Sequence, residues 1–207
     1  MRLFVAVLPP AAATAELAAA LGPVRALPGG RELRWTAPES WHLTLAFLGE
    51  VPDDVRPELD ERLGRAARRH GPYPLRLSGG GRFGDRALWA GAEGDLSGLA
   101  GLADSVRAAA RRAGAVPAEG NFRAHLTLAR TARRAPVPLR PLADALADFR
   151  GSPWTADTLH LVRSSPPRSG VPGEQPRYDT VVSWPLAGGG SSRGSAPRLR
   201  RGYPQRP

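Results

Sequence analysis

One tetrapeptide occurs twice in this chain, as His42-Leu43-Thr44-Leu45 and, 83 residues later, as His125-Leu126-Thr127-Leu128. The sequence around each copy follows the same plan. Strand-like and helix-like patterns alternate from Leu3 to Arg69 and again from Ala87 to Phe149, with Leu3 matching Leu88 at an offset of 85. A chain carrying the same unit twice is expected to fold as two facing halves, so the fold class is α+β. We expect a bilobal body of two pseudo-symmetric halves, each with a largely antiparallel sheet and helices, and a cleft between them at the pseudo-twofold axis. Alternating elements also suggest a doubly wound parallel sheet. No glycine-rich phosphate loop follows the first strand, however, where Leu8 runs into Pro9-Pro10.

The elements are read from spacing. Leu3 to Leu8 is an apolar strand, and Ala11 to Leu21 an alanine-rich helix stopped by Gly22-Pro23. Trp41 to Leu48 alternates as a strand ended by Gly49. Asp53 to Arg69 is a helix, with acids in its first turn and Val55, Leu59, Leu63 and Ala67 four residues apart. Short strands follow at Tyr73–Leu77 and Ala87–Gly91. In Leu96 to Ala113 the apolar positions step by three and four, which marks one face of a helix. Phe122 to Ala129 is a strand, Leu139 to Phe149 a helix, and Trp154–Val162 and Tyr178–Leu186 are closing strands. Residues 1–186 then form one domain, with repeat halves at about 1–69 and 87–149 and closing strands within 154–186. Ser164–Pro176 is an internal loop. Residues 187–207 carry five Arg, no acid and almost nothing apolar, so they are expected to be a disordered arm.

Composition removes several classes of function. A chain of 207 residues can bury roughly 70% of its unfolded surface without a staple. With no Cys there is no disulfide, thiolate chemistry or Cys-ligated metal. No apolar run approaches the ~18 residues of a membrane span. The six-residue run Leu3–Leu8 is shorter than the ~7–15 of a secretory signal and is read as a first strand. All 29 basic residues are Arg, and the net charge is +10, half of it in the last 21 residues. A GC-rich coding bias explains Arg in place of Lys. It does not explain the excess of base over acid, which points to polyanions such as nucleic acid.

The repeated tetrapeptide carries the chemistry. Residues two apart in a strand share a face, so His and Thr point one way and the two Leu anchor the strand in the core. Two such strands about an axis bring two imidazoles and two hydroxyls together. That set suits displacement at phosphorus. One His takes the proton of the attacking oxygen, and the other gives a proton to the departing one. An unperturbed pKa of about 6.5 puts both states within reach. The Thr hydroxyls can donate to phosphate oxygens as charge builds. No metal and no cofactor is called for. The sequence does not choose which His is donor and which acceptor. His70, at a helix end, and His160, with Val162 in place of the second Thr, lack the pattern.

These paired motifs resemble those of the 2H phosphoesterase superfamily, and more closely those of the RNA 2′,3′-cyclic phosphodiesterases, historically named 2′-5′ RNA ligases. The resemblance covers most of residues 1–186. It includes Met1-Arg2-Leu3-Phe4-Val5-Ala6, Arg34-Trp35, the run from Trp41 to Val51, the run from Phe122 to Arg130, Leu161-Val162-Arg163-Ser164 and the closing Tyr178–Leu186 strand. The family usually has Pro before its second His, where this chain has Ala124. The resemblance implies hydrolysis of an RNA 2′,3′-cyclic phosphate to a 2′-phosphomonoester, or the reverse joining of ends through a 2′-5′ linkage. It implies His42 as proton donor and His125 as acceptor, with Thr44, Thr127 and Arg130 on the substrate phosphate. Strict alternation puts Arg130 on the wrong face of its strand, so a bulge or strand end after Ala129 is required. Arg123 has the right parity and is the substitute.

Phe47 and the Trp residues 35, 41 and 89 are read first as core and second as base-stacking platforms. The expected partner is RNA with a 2′,3′-cyclic phosphate end. A cytoplasmic monomer is expected, with no membrane and no obligate protein partner. Two other readings remain open at this stage: a phosphodiesterase of small cyclic phosphates such as nucleoside or ADP-ribose cyclic phosphates, and a non-catalytic module that only holds an RNA end.

Overall fold

The computed structural model describes residues 1–132, 137–167 and 175–188. In chain order the elements are β1 (Arg2–Val7), α1 (Ala11–Ala26), β2 (Arg34–Trp35), β3 (Leu43–Glu50), α2 (Arg56–Arg68), β4 (Tyr73–Phe83) and β5 (Ala87–Gly94). They continue with α3 (Leu96–Arg112), β6 (His125–Arg130), α4 (Arg140–Asp144), β7 (Trp154–Ala156), β8 (Thr158–Ser165) and β9 (Arg177–Pro185). Two sheets form, ordered β3-β1-β8-β9 and β2-β6-β5-β4-β7, and every strand pairing in them is antiparallel. No helix among the described residues is long and apolar enough to cross a membrane.

The repeat is kept in register but not in packing. Phe4, Val5 and Ala6 pair with Phe47, Ala46 and Thr44, while Ala87, Leu88 and Trp89 pair with Arg130, Ala129 and Thr127. The offset is therefore 83 throughout, and β1 matches β5 two residues away from the alignment expected from Leu3 and Leu88. Neither sheet is made from one stretch of chain. β2 and α1 come from the first repeat, yet β2 pairs with β6 and α1 lies against β4. α3 comes from the second repeat but packs on β3 and α2. Periodicity announces that a helix has an apolar stripe; it does not say which sheet the stripe covers. One continuous core joins both sheets, from Val5 and Leu45 through Leu102 and Val106 to Leu88 and Leu128.

Several boundaries differ from the spacing-based expectation, each for a local reason. α1 does not stop at Gly22-Pro23 but runs on through Ala26, because Val24 extends the buried stripe of Leu17 and Leu21. The expected strand Trp154–Val162 is two strands in different sheets: β7 pairs with β4, and β8 with β1. The apolar positions shift from 154 and 156 to 159 and 161, so alternation itself slips at Asp157-Thr158. The helix expected to reach Phe149 ends at Asp144 and continues as turns. There the Phe149 carbonyl accepts from Gly79 N–H, and the chain turns to run beside β4. Ser164 and Ser165 belong to β8, so the expected loop begins two residues later. Its middle, 168–174, and the arm from 189 onward lie outside the described residues.

β4 extends six residues past the expected end at Leu77, through Gly79-Gly80-Gly81. These glycines permit close approach rather than weak structure. A Cβ on Gly80 would stand 2.6 Å from Leu146 Cβ and 2.9 Å from the Ala143 carbonyl oxygen, and the Trp89 ring lies across Gly81. Gly80→Ala is expected to destabilise the protein by ~1–3 kcal/mol through overpacking of α4 on β4. Urea unfolding, monitored by tryptophan fluorescence, should show a lower midpoint at unchanged slope.

Candidate active site

A cleft of about 870 Å³ lies between the sheets, lined by His42, Thr44, His125, Thr127 and Arg130 together with Arg2, Phe4, Arg34, Phe47, Phe83, Val116 and Tyr178. Each motif occupies corresponding positions in one sheet. His125 opens β6, while His42 immediately precedes β3. The Leu pair of each motif is fully buried and the Thr is half-buried, as alternation requires.

Alternation then breaks at the same place in both strands, and β3 carries a second break at Leu48. In the β1–β3 ladder Leu45 is the extra residue between the partners of Val5 and Ala6. In the β5–β6 ladder Leu128 is the extra residue between the partners of Leu88 and Trp89. A β-bulge of one residue shifts every later side chain to the other face. Leu45 and Ala46 are therefore both buried, as are Leu128 and Ala129, and the fifth residue after each His returns to the cleft. In β3 that residue is Phe47, 53% exposed; in β6 it is Arg130. The bulge that Arg130 needed thus lies at Leu128–Ala129. Arg123, the substitute, does not line the cleft but lies over the Trp89 ring at 4.5 Å and the Phe83 ring at 5.9 Å.

Both imidazoles are oriented in the same way. The Nδ1–H of His42 donates to the Ser40 carbonyl oxygen at 2.7 Å, and that of His125 to the Arg123 carbonyl oxygen at 2.8 Å. A carbonyl two residues back can only accept, so it fixes the proton on Nδ1 in the neutral ring and leaves Nε2 free to take or give one. The hydroxyls of Thr44 and Thr127 have no hydrogen-bond partner among the described residues, which leaves them available to a ligand.

The surroundings of the two rings differ. His42 lies against Phe4, with ring centroids 4.5 Å apart, and meets the edge of Tyr178 at 5.2 Å. Burial holds its pKa down at about 4, assisted by the charge of His125 and opposed by the Ser40 hydrogen bond. His125 meets Phe83 edge-on at 4.8 Å, with Trp89 behind it at 6.3 Å. Burial lowers its pKa as well, and the guanidiniums of Arg123 and Arg130 push the same way against the Arg123 carbonyl.

Of the aromatics considered as stacking platforms, only Phe47 faces the cleft. Trp41 and Trp89 are buried, and the Trp35 indole N–H donates to the Gly30 carbonyl at 2.7 Å. His70 bonds the Ser105 hydroxyl between α2 and α3, and His160 bonds the Ser183 hydroxyl between β8 and β9, both away from the cleft. Sequence reasoning missed Arg2, Phe4, Arg34, Phe83 and Tyr178 as cleft residues. Tyr178 opens a run that reads as a strand and Arg34 belongs to the resemblance, but nothing local says that either borders the motifs. No group of three or more His, Asp or Glu side chains is placed to hold a metal ion among the described residues.

The family model described as the 2′-5′ RNA ligase superfamily matches residues 9–167. An RNA 2′,3′-cyclic phosphodiesterase of Thermus thermophilus is 35% identical over 173 residues, covering 79% of this chain and 82% of that protein. A protein of the same name from Geobacillus stearothermophilus is 28% identical over 163 residues; the match takes in 77% of this chain but only 49% of that relative. Among solved structures, TT0787 of Thermus thermophilus superposes with a TM-score of 0.71 at 32% identity, covering 91% of this chain and 99% of that one. Escherichia coli LigT complexed with 3′-AMP gives 0.70 at 27% identity, covering 89% and 97%. With the model match spanning most of the chain and the duplicated His-x-Thr-x strands meeting in one cleft, the chain belongs to the 2′-5′ RNA ligase superfamily.

Proposed function

We propose that this protein hydrolyses RNA ends bearing a 2′,3′-cyclic phosphate to 2′-phosphomonoesters, by acid–base catalysis divided between His42 and His125. The observation that carries this reading is the matched pair of imidazoles, each with Nδ1 tied to the carbonyl two residues back and Nε2 left for the cleft. The names of the relatives favour it over a small cyclic phosphate as substrate and over a module that only holds an RNA end.

Water attacks phosphorus and gives its proton to Nε2 of neutral His125. The bond from phosphorus to the 3′ oxygen breaks, and that oxygen takes the Nε2 proton of protonated His42. Solvent exchange then restores both rings. The Thr44 and Thr127 hydroxyls donate to the non-bridging oxygens, and Arg130 supplies a fixed cation that can grip them bidentately. The division of roles follows the family resemblance. Burial stands against the charged form of both rings in the empty cleft, and the Arg123 and Arg130 guanidiniums add to it at His125. A phosphate anion bound between the rings would favour the imidazolium that the donor step needs at His42. With an RNA 5′ hydroxyl in place of water as nucleophile, the same groups in the same roles would make a 2′-5′ linkage. We further read the protein as a cytoplasmic monomer that acts on RNA without a protein partner.

Incubation with an oligonucleotide ending in a 2′,3′-cyclic phosphate should give a 2′-phosphomonoester by ³¹P NMR; a 3′-phosphate or unchanged substrate would overturn the reading. His42→Ala and His125→Ala should each lower kcat by at least ~10² with the fold retained, and the double variant should lose far less than the product of the two. EDTA should leave turnover unchanged.

The pH dependence follows from the direction of the shifts. Both rings lose their protons below the ordinary histidine value in the empty cleft, so the form with one proton shared between them is most abundant on the acid side of 6.5. The optimum of kcat/KM, which reports the free enzyme, is expected below pH 6.5. That of kcat should lie higher, because bound phosphate stabilises the imidazolium. The same shift acts on stability. Between about pH 6.5 and 4 the unfolded chain protonates position 42 while the folded one resists, so stability falls as pH drops through that window. In His42→Ala this acid branch should be shallower in thermal unfolding.

A further inference from the structure

β2 contributes two residues to its sheet, and one of them places a cation where a strand ladder disfavours it. Arg34 stands directly opposite Arg130 in the antiparallel register of β2 on β6. Directly opposed residues share a face, with Cβ atoms ~4.5–5.5 Å apart, and like charges at that spacing repel. Both side chains line the cleft, and among the described residues neither has a carboxylate partner. Other arginines are matched with acids: Arg56 with Asp60, Arg65 with Glu61, Arg163 with Asp179. Arg2, on β1 of the opposite sheet, lines the same cleft. The charges of Arg2 and Arg130 both pull down the titration of the Tyr178 hydroxyl, which burial raises, so cations approach that tyrosine from both sheets. An unneutralised cation pair facing an open cleft is the complement of an anion.

The order of strands separates the two arginines in function. His125, Thr127 and Arg130 run along β6 in one line on the cleft face, and Arg130 ends that line. β2 is the edge strand beyond β6, so Arg34 sits one strand farther out than the strand that carries His125. We propose that Arg34, with Arg130 beside it, forms a second phosphate subsite, which takes the phosphodiester next to the cyclic end and makes the cleft select an RNA end over a cyclic mononucleotide. This rests on the reading of the cleft as a site for cyclic-phosphate RNA ends and adds to it the residue that senses the rest of the strand. The repulsion in the unliganded pair is relieved when the chain's own phosphate bridges the two guanidiniums, each of which can bind it bidentately.

The test uses binding, so it does not depend on turnover. A fluorescent oligoribonucleotide ending in a 2′-phosphate and the corresponding nucleoside 2′-monophosphate are titrated against wild type, Arg34→Gln and Arg34→Lys at several salt concentrations. Wild type should prefer the oligonucleotide. Arg34→Gln should weaken the oligonucleotide about tenfold and the mononucleotide less than twofold, and its salt dependence for the oligonucleotide should become shallower by ~0.7. Arg34→Lys keeps the charge but not the fork, so it should retain the salt slope while losing part of the affinity. Arg34→Gln should also melt no lower than wild type at low salt, since it removes a repulsion. Equal weakening of both ligands, an unchanged oligonucleotide affinity, no wild-type preference or a marked loss of stability in Arg34→Gln would each overturn the proposal. If the binding contrast holds but wild type turns over no cyclic ends, the hydrolytic reading fails and the subsite stands.

Discussion

Side chains in an extended strand alternate between faces, and in each motif strand a β-bulge three residues after the histidine breaks that alternation. Everything that meets in the cleft depends on this. Before the bulge, the two-residue period sends His and Thr to the cleft and the two Leu to the core. The bulge lets two successive residues stay buried, Leu45 with Ala46 and Leu128 with Ala129, and the following position then returns to the open face. Without it Phe47 and Arg130 would point into packed apolar layers, where an arginine without a partner is costly to bury. The kink thus brings the Arg130 guanidinium to the cleft from the same strand that carries the His125 imidazole.

The two halves of the site share geometry and differ in environment. Each ring has the same carbonyl anchor and the same flanking hydroxyl. One is surrounded by Phe4 and Tyr178, the other by Phe83, Trp89 and two guanidiniums. A symmetric scaffold would give two equivalent groups; acid–base catalysis needs two inequivalent ones. The difference comes from residues outside the repeated tetrapeptide. Phe47 and Arg130, which occupy the same place in the two strands, are the clearest case: an apolar ring on one side and a charge on the other.

Much of this was legible before any coordinates. The duplicated tetrapeptide located both motif strands, the facing sheets and the cleft positions of His42, Thr44, His125 and Thr127, because period-two alternation is a short-range rule; Arg130 came from the resemblance, against strict alternation. What escaped was long-range. Nothing in Arg34-Trp35 says that two residues will pair with a strand of the other repeat, nor in Tyr178 that its strand will bring it against His42. The glycine run in β4 read as a strand end, since glycine weakens strands in general. Its reason here is the closeness of Leu146 and the Trp89 ring. The split at Asp157 was visible as a slip in alternation, but only the partners of β7 and β8 gave it meaning.

The exchange of helices between the sheets bears on how damage to this protein would show itself. α1 starts in one repeat and covers the sheet of the other, α3 does the reverse, and Glu16 on α1 accepts from the Ser152 N–H far along the chain. A single core runs through both sheets, so neither retains its apolar cover if the other is lost. A lesion under one lobe cannot leave behind a half-enzyme with one working imidazole. It reduces how many molecules are folded, and each survivor carries both histidines, so inherited variation away from the cleft should register as abundance rather than as altered chemistry.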